Sequence, residues 1–287
     1  MLTVFALASG RSGTHFLYEL IRRNARSCAA RHEPYGFNPS MFGRPIYDRA
    51  VGERDYTRRL VARKARIIAR CGQPAYVETS HAFLKSWSDL AAEYFPNLKL
   101  VHLVREPLKV AKSEAYRETW LHRLHLPLRN YRGGDGRKYF RWALTGLEPI
   151  FQHFERAQLT RLQWYLLQWI EIENRAMQFL AASGKQANCF TLHSPHELSD
   201  AGRVRELFEF LGLSLKHKTL DLRGRQNRNP RPTVITDDDR RELADVVGRL
   251  PPEHLAIFQR EPYVRFPWIE SLRLGGTGVS QVSGRVF

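Results

Sequence analysis

The sequence predicts an α/β fold with a central, mainly parallel sheet flanked by helices. Three observations carry this. Short apolar runs that suit buried parallel strands stand at residues 2–8, 99–104 and 189–192. Between them lie segments with apolar residues at helical spacing. Turn-forming residues (Ser9-Gly10 after the first run, Pro107 after the second) punctuate the junctions. Strands that alternate with helices imply parallel pairing through crossovers, and no internal repeat is present.

Residues 2–8 form the first strand, and residues 14–23 follow as a helix with Phe16, Leu17, Leu20 and Ile21 on one face. Residues 31–47 are rich in Pro, Gly and aromatics and read as loop. Residues 56–70 read as a basic helix, 76–79 as a short strand and 83–94 as helix. The run at 99–104 is the clearest second buried strand, and helix resumes over 107–116. Residues 129–139 contain Gly133-Gly134-Asp135-Gly136 among basic neighbours and predict a mobile surface loop. A long helix is expected over 159–182, with Trp164, Leu167 and Ile170 on its apolar face, then a third strand over 189–192. A helix over 201–213 ends at Gly212. Residues 224–232 form a basic loop, and 237–250 a further helix. Residues 1–274 read as one domain, and 275–287, rich in Gly, Ser and Val, as a frayed tail.

The 287 residues carry 45 Lys+Arg against 29 Asp+Glu, a formal charge of +16, and are 43% hydrophobic. A chain of this length and apolarity is globular and not disordered. Its charge points to an anionic partner: nucleic acid, an acidic membrane surface, an acidic glycan or a polyphosphorylated cofactor. A solvated basic surface accounts for the same excess. Nucleic acid is disfavoured, because no familiar motif appears and the aromatics do not interleave with a basic stripe. Cys28, Cys71 and Cys189 show no metal spacing and read as reduced thiols. Neither a basic, apolar leader nor a run near the ~20 apolar residues of a spanning helix is present. A cytoplasmic chain without transmembrane segment is expected, open to peripheral membrane contact.

Ser9-Gly10-Arg11-Ser12-Gly13-Thr14-His15 follows a strand and opens a helix. Backbone N–H groups at such a junction point outward, and the helix terminus carries partial positive charge. Gly10 and Gly13 permit close backbone approach to an anion. Arg11 adds a planar cation suited to phosphate or sulfate, and Ser12 and Thr14 add hydroxyls. The G-x-x-x-x-G-K-[ST] pattern is absent, so no Lys-Ser/Thr pair is available to hold Mg²⁺. The loop suits an anion bound without a metal. An ordinary capped turn is the plainer alternative.

Arg105 stands directly after the 99–104 strand, Pro107 two residues on and Ser113 eight residues on. A helix that begins at Pro107 places Ser113 under two turns in. Arg105 and Ser113 are then positioned to converge on one phosphate. An ion pair between Arg105 and Glu106 is the competing fate.

Together, Arg11-Ser12-Gly13-Thr14 and the stretch from Leu103 to Ser113 resemble the sulfotransferase family that uses 3′-phosphoadenosine 5′-phosphosulfate (PAPS). The loop is similar to the Arg-Ser-Gly-Thr version of bacterial and tyrosylprotein members, where cytosolic members carry Lys. The second stretch resembles the family's 3′-phosphate segment. The resemblance covers mainly residues 1–33 and 98–117. It implies a three-layer P-loop-like fold and sulfuryl transfer from PAPS to a hydroxyl or amine, with adenosine 3′,5′-bisphosphate as product and no metal. It implies that Gly10, Arg11, Ser12, Gly13, Thr14 and His15 hold the phosphosulfate, and Arg105 and Ser113 the 3′-phosphate. Phe208–Leu213 resembles the helix end before the family's last cofactor loop. By position, residues 224–232 would be that loop, with Arg225, Arg228 or Arg231 near the nucleotide and Arg228 taken as the candidate. Its sequence departs from the cytosolic Arg-Lys-Gly pattern. A P-loop kinase or other protein for a phosphorylated nucleotide is the alternative.

Sulfuryl transfer depends on positioning and electrostatics, as phosphoryl transfer does. The acceptor must also lose a proton, and a placed Glu or His adds ~10²–10⁴-fold. Glu33 is the candidate base, as relatives with this loop often place a Glu in a similar segment. Burial by Tyr35 and Phe37 is expected to raise its pKa, and a salt bridge to Arg31 competes. His32 and His81 are the alternatives. Arg11 is expected to stabilise the charge that builds on the bridging oxygen. The acceptor (a glycan or lipid-linked sugar, a lipid headgroup or a small molecule) is expected at loops 34–57 and 120–140.

Overall fold

The computed structural model describes residues 1–36, 38–125, 129–223 and 234–272. Strand β1 (Leu2–Ala8) leads through the glycine loop into α1 (Thr14–Asn24), followed by β2 (Cys28–Arg31), α2 (Arg44–Ala50), α3 (Asp55–Ala69) and β3 (Ala75–Glu78). A π-helical turn, Phe83–Trp87, runs into α4 (Ser88–Tyr94), and then come β4 (Leu98–Val104) and α5 (Pro107–Arg123). A hairpin of β5 (Asn130–Arg132) and β6 (Lys138–Phe140) precedes α6 (Arg161–Ser183), β7 (Cys189–His193), α7 (Ala201–Leu211) and α8 (Asp237–Arg249).

Five strands form one sheet in the order β2-β3-β1-β4-β7, and every pairing in it is parallel. β1 lies at the centre because its residues are apolar on both faces. Phe5 and Leu7 point into the larger core, with α6 and the π-helical turn, whereas Val4 and Ala8 point into a second core with α1 and α7. This is the period-2 alternation of a strand covered on both sides. The molecule is thus a three-layer α/β structure. A capping box, Thr160 with Gln163, starts α6.

Two segments differ from expectation. β2 and α2 lie within or beside the stretch read as loop. The β2 sequence Cys-Ala-Ala-Arg has no apolar run of its own, and its strand character comes from pairing with β3, Cys28 opposite Ala75. Residues 129–139, read as a mobile loop, are an antiparallel hairpin with Tyr131 opposite Tyr139. Its tip is docked on α2: the Tyr47 hydroxyl accepts from the Asp135 N–H at 3.0 Å, and a Cβ on Gly133 would come within 2.5 Å of the Tyr47 ring. A glycine-rich tip signals flexibility only until a partner ring claims the space. No helix among the described residues is long and apolar enough to cross a membrane.

Candidate functional site

The site lies where β1, β3, β4 and β7 end, the edge at which parallel sheets bind ligands. The glycine loop bends there through two residues in the left-handed region, Arg11 (φ 63°) and Gly13 (φ 97°). α1 begins at Thr14, so its first N–H groups, which have no partner within the helix, lie at this loop. The Ser9 and Ser12 hydroxyls are hydrogen-bonded at 2.6 Å. Both glycines answer to side chains from other elements as well as to any anion. A Cβ on Gly10 would stand 1.8 Å from Oε1 of Glu114, and one on Gly13 would stand 2.4 Å from Oγ of Ser194.

The two predicted phosphate segments meet. Arg11 donates from Nε to Ser113 Oγ at 3.0 Å, and Arg105 donates from Nη1 to the Arg11 carbonyl at 2.6 Å. Glu106 is salt-bridged to Lys109 at 2.6 Å. Burial pulls the Arg11 pKa below its usual value, against the opposing charge of Glu114.

Glu33 adopts φ 43°, and its Oε1 lies 3.2 Å from His81 Nε2 and 3.8 Å from His32 Nε2. The structure therefore brings all three candidate bases together. The expected rise in the Glu33 pKa is corrected. Burial does push it up, but the His81 and His32 charges outweigh that and hold the carboxyl below its ordinary value. The expectation failed on its neighbours: Tyr35 is 87% exposed and covers nothing, Phe37 lies outside the described residues, and the Arg31 guanidinium donates to the Ala30 carbonyl. His32 Nδ1 lies 2.9 Å from the Thr79 carbonyl. A neutral ring then carries its proton on Nδ1, which leaves Nε2 bare and facing Glu33. His81 is 1% exposed, and burial, then the Lys85 charge, lowers its pKa to about 4. His15 lies with its ring 5.0 Å from that of His32 and its Nδ1 buried without a partner; burial, then His32, lowers its pKa.

Sequence reasoning missed a buried polar layer beneath the loop. Glu114 is 1% exposed; its Oε1 has no hydrogen-bond partner, and its Oε2 lies 3.7 Å from Arg117. Lys85, in the π-helical turn, is fully buried and donates to the Trp142 carbonyl at 2.5 Å; burial lowers its pKa to about 8. Ser194, directly after β7, is 2% exposed with an unpartnered hydroxyl. Ser194 was findable by its place at a strand end, and Glu114 by its place beside Ser113. Lys85 had no signal, because a lysine inside an apolar helix reads as a surface residue. Candidate Arg228, with Arg225 and Arg231, lies outside the described residues. Among the described residues, no three His, Cys, Asp or Glu side chains group to hold a metal.

The arrangement offers outward N–H groups, two arginines and hydroxyls to an anion, beside a carboxylate flanked by two imidazoles. No protein-family profile and no curated protein sequence matches the chain. Among solved structures, the chain is similar to a sulfotransferase from Alicyclobacillus acidocaldarius, with a TM-score of 0.47 and 17% identity over 92% of this chain and 97% of that one.

Proposed function

We propose that this protein is a sulfotransferase that moves the sulfuryl group of PAPS to an acceptor hydroxyl or amine, in one catalytic domain spanning residues 1–274. The observation that carries the reading is the meeting of Arg11 with Ser113 and of Arg105 with the Arg11 carbonyl. Two segments that separately suit phosphate groups form one cradle, which fits a compound with anionic groups at both its 5′ and 3′ positions. The buried, unpartnered Ser194 hydroxyl against Gly13 adds a donor beside that cradle.

When bound, PAPS supplies the sulfuryl group. Gly10 to His15 would hold its phosphosulfate, and Arg105 and Ser113 its 3′-phosphate. Arg11, a permanent cation, offsets charge as the sulfur–oxygen bond to the phosphate breaks and the bond to the acceptor forms. Glu33 takes the acceptor's proton, and His81, with Nε2 3.2 Å from Oε1, fixes the carboxylate. His32 is a second base, because the Thr79 carbonyl leaves its Nε2 free to accept.

The test is incubation with PAPS labelled in the sulfuryl group and a panel of glycans, lipids and phenols, alongside thermal-shift titration. Label transfer, and stabilisation by adenosine 3′,5′-bisphosphate without metal, are expected. Stabilisation by ATP with Mg²⁺ and not by the bisphosphate would favour a kinase and sink the proposal.

A further inference from the structure

We infer that the β5–β6 hairpin docks the acceptor and that the acceptor is an acidic oligosaccharide, one bearing carboxylate or sulfate groups. This rests on the sulfotransferase reading and names its substrate class.

Residues 129–141 hold five cations and one acid, Asp135. That acid is already engaged: it accepts from the Tyr139 hydroxyl at 2.6 Å and from the Arg137 N–H at 3.1 Å. Arg132 and Lys138 are directly opposite across the hairpin, and both are exposed. Like charges in such a pair oppose strand pairing. The Arg132 guanidinium reaches only the Gly136 carbonyl, and neither side chain has a carboxylate partner among the described residues. A repulsive pair in a hairpin whose tip is pinned on Tyr47 is explained by an anion that bridges the two cations.

The hairpin also leads to the reacting groups. Two residues beyond β6, the Trp142 carbonyl accepts from Lys85 and its ring lies 5.1 Å beneath the Arg117 guanidinium. Arg117 in turn pairs with Glu114 under Gly10. The segment that carries Glu33 reaches the hairpin too, through the Gly43 N–H bonded to the Arg141 carbonyl at 3.1 Å. A chain of sugars laid on the hairpin would meet Arg132 and Lys138 with its anionic groups while it runs along residues 141 and 142 towards the site. Strands of three residues offer little edge for a peptide to pair with, so recognition rests on charge, which a sugar with fixed carboxylates satisfies.

The test is titration of the full chain with heparin fragments, size-matched neutral dextran fragments and poly-glutamate, at fixed salt. An Arg132→Ala/Lys138→Ala variant is compared with Arg59→Ala/Arg63→Ala, which removes the same charge from the exposed face of α3. Heparin fragments are expected to bind the hairpin variant about tenfold or more weakly, and the α3 variant within about twofold of the original chain. Affinity for adenosine 3′,5′-bisphosphate is expected to stay unchanged in both. Equal loss in the α3 variant, or binding of poly-glutamate or dextran as tight as that of heparin fragments, overturns the inference. If the bisphosphate binds no form of the chain, the transferase reading fails, and a heparin loss confined to the hairpin variant still supports its choice of acidic sugar.

Discussion

Arg11 Nε donates to Ser113 Oγ at 3.0 Å across 102 residues of sequence. The side chain assigned to one end of the nucleotide thus sets the hydroxyl assigned to the other. Ser113→Ala removes one bond to a charged group and is expected to weaken adenosine 3′,5′-bisphosphate binding by about tenfold. Arg105→Ala removes a cation and also frees the Arg11 carbonyl, so a larger loss, about 100-fold, is expected. Isothermal titration calorimetry checks both, and unchanged affinity in Arg105→Ala would detach this segment from the site.

Glu33 sits between two imidazoles, so its removal is expected to act on turnover and not on nucleotide binding. Glu33→Gln keeps the shape and is expected to lower kcat by ~10²–10⁴-fold. His32→Gln tests the second base. If Glu33 and His32 act as one unit, the double variant loses little more than the worse single one. A Glu33→Gln variant with full turnover and a crippled His32→Gln would transfer the role to His32.

How far the sequence foretold this arrangement depended on whether the signal was local. β1 and α1, β4 and α5, and β7 announce themselves because apolar runs and turn residues sit side by side, and the two candidate phosphate segments fall at the ends of β1 and β4. β2 and the hairpin do not, since each takes its form from a partner: Cys28 from Ala75, and the Gly133 tip from Tyr47. The Glu33 carboxyl illustrates the same limit for electrostatics. Its sequence neighbour Tyr35 points to solvent, while His81, 48 residues on, sits against it and reverses the expected shift.

Gly10 is required by Glu114. Gly10→Ala would place a methyl 1.8 Å from Oε1 of the buried Glu114 carboxylate, so the loop or that side chain must shift. The variant is expected to lose bisphosphate binding by about 100-fold through displacement of the loop. Gly10→Ala/Glu114→Ala, with the carboxylate gone, is expected to regain about tenfold of that loss. Calorimetry on the pair decides it: a double variant no better than Gly10→Ala would mean that the methyl blocks the anion directly and that Glu114 plays no part.

His81 makes stability pH-dependent, and the sign follows from its burial. Its folded pKa of about 4 lies below the ordinary histidine value of 6.5. Between those values the unfolded chain holds a proton that the folded chain excludes, so stability rises with pH across the window. Read downward, stability is lost as pH falls from about 6.5 to about 4, by up to ~3 kcal/mol. Glu33 extends the loss, because its folded pKa also lies below the unfolded one, and protonating it separates it from His81. Urea midpoints measured between pH 4 and 7 should fall steadily toward acid, and His81→Phe should flatten the upper part of that slope. A midpoint that stays level down to pH 5 in the unsubstituted chain would mean that the buried imidazole takes up its proton in the fold as readily as in the unfolded chain.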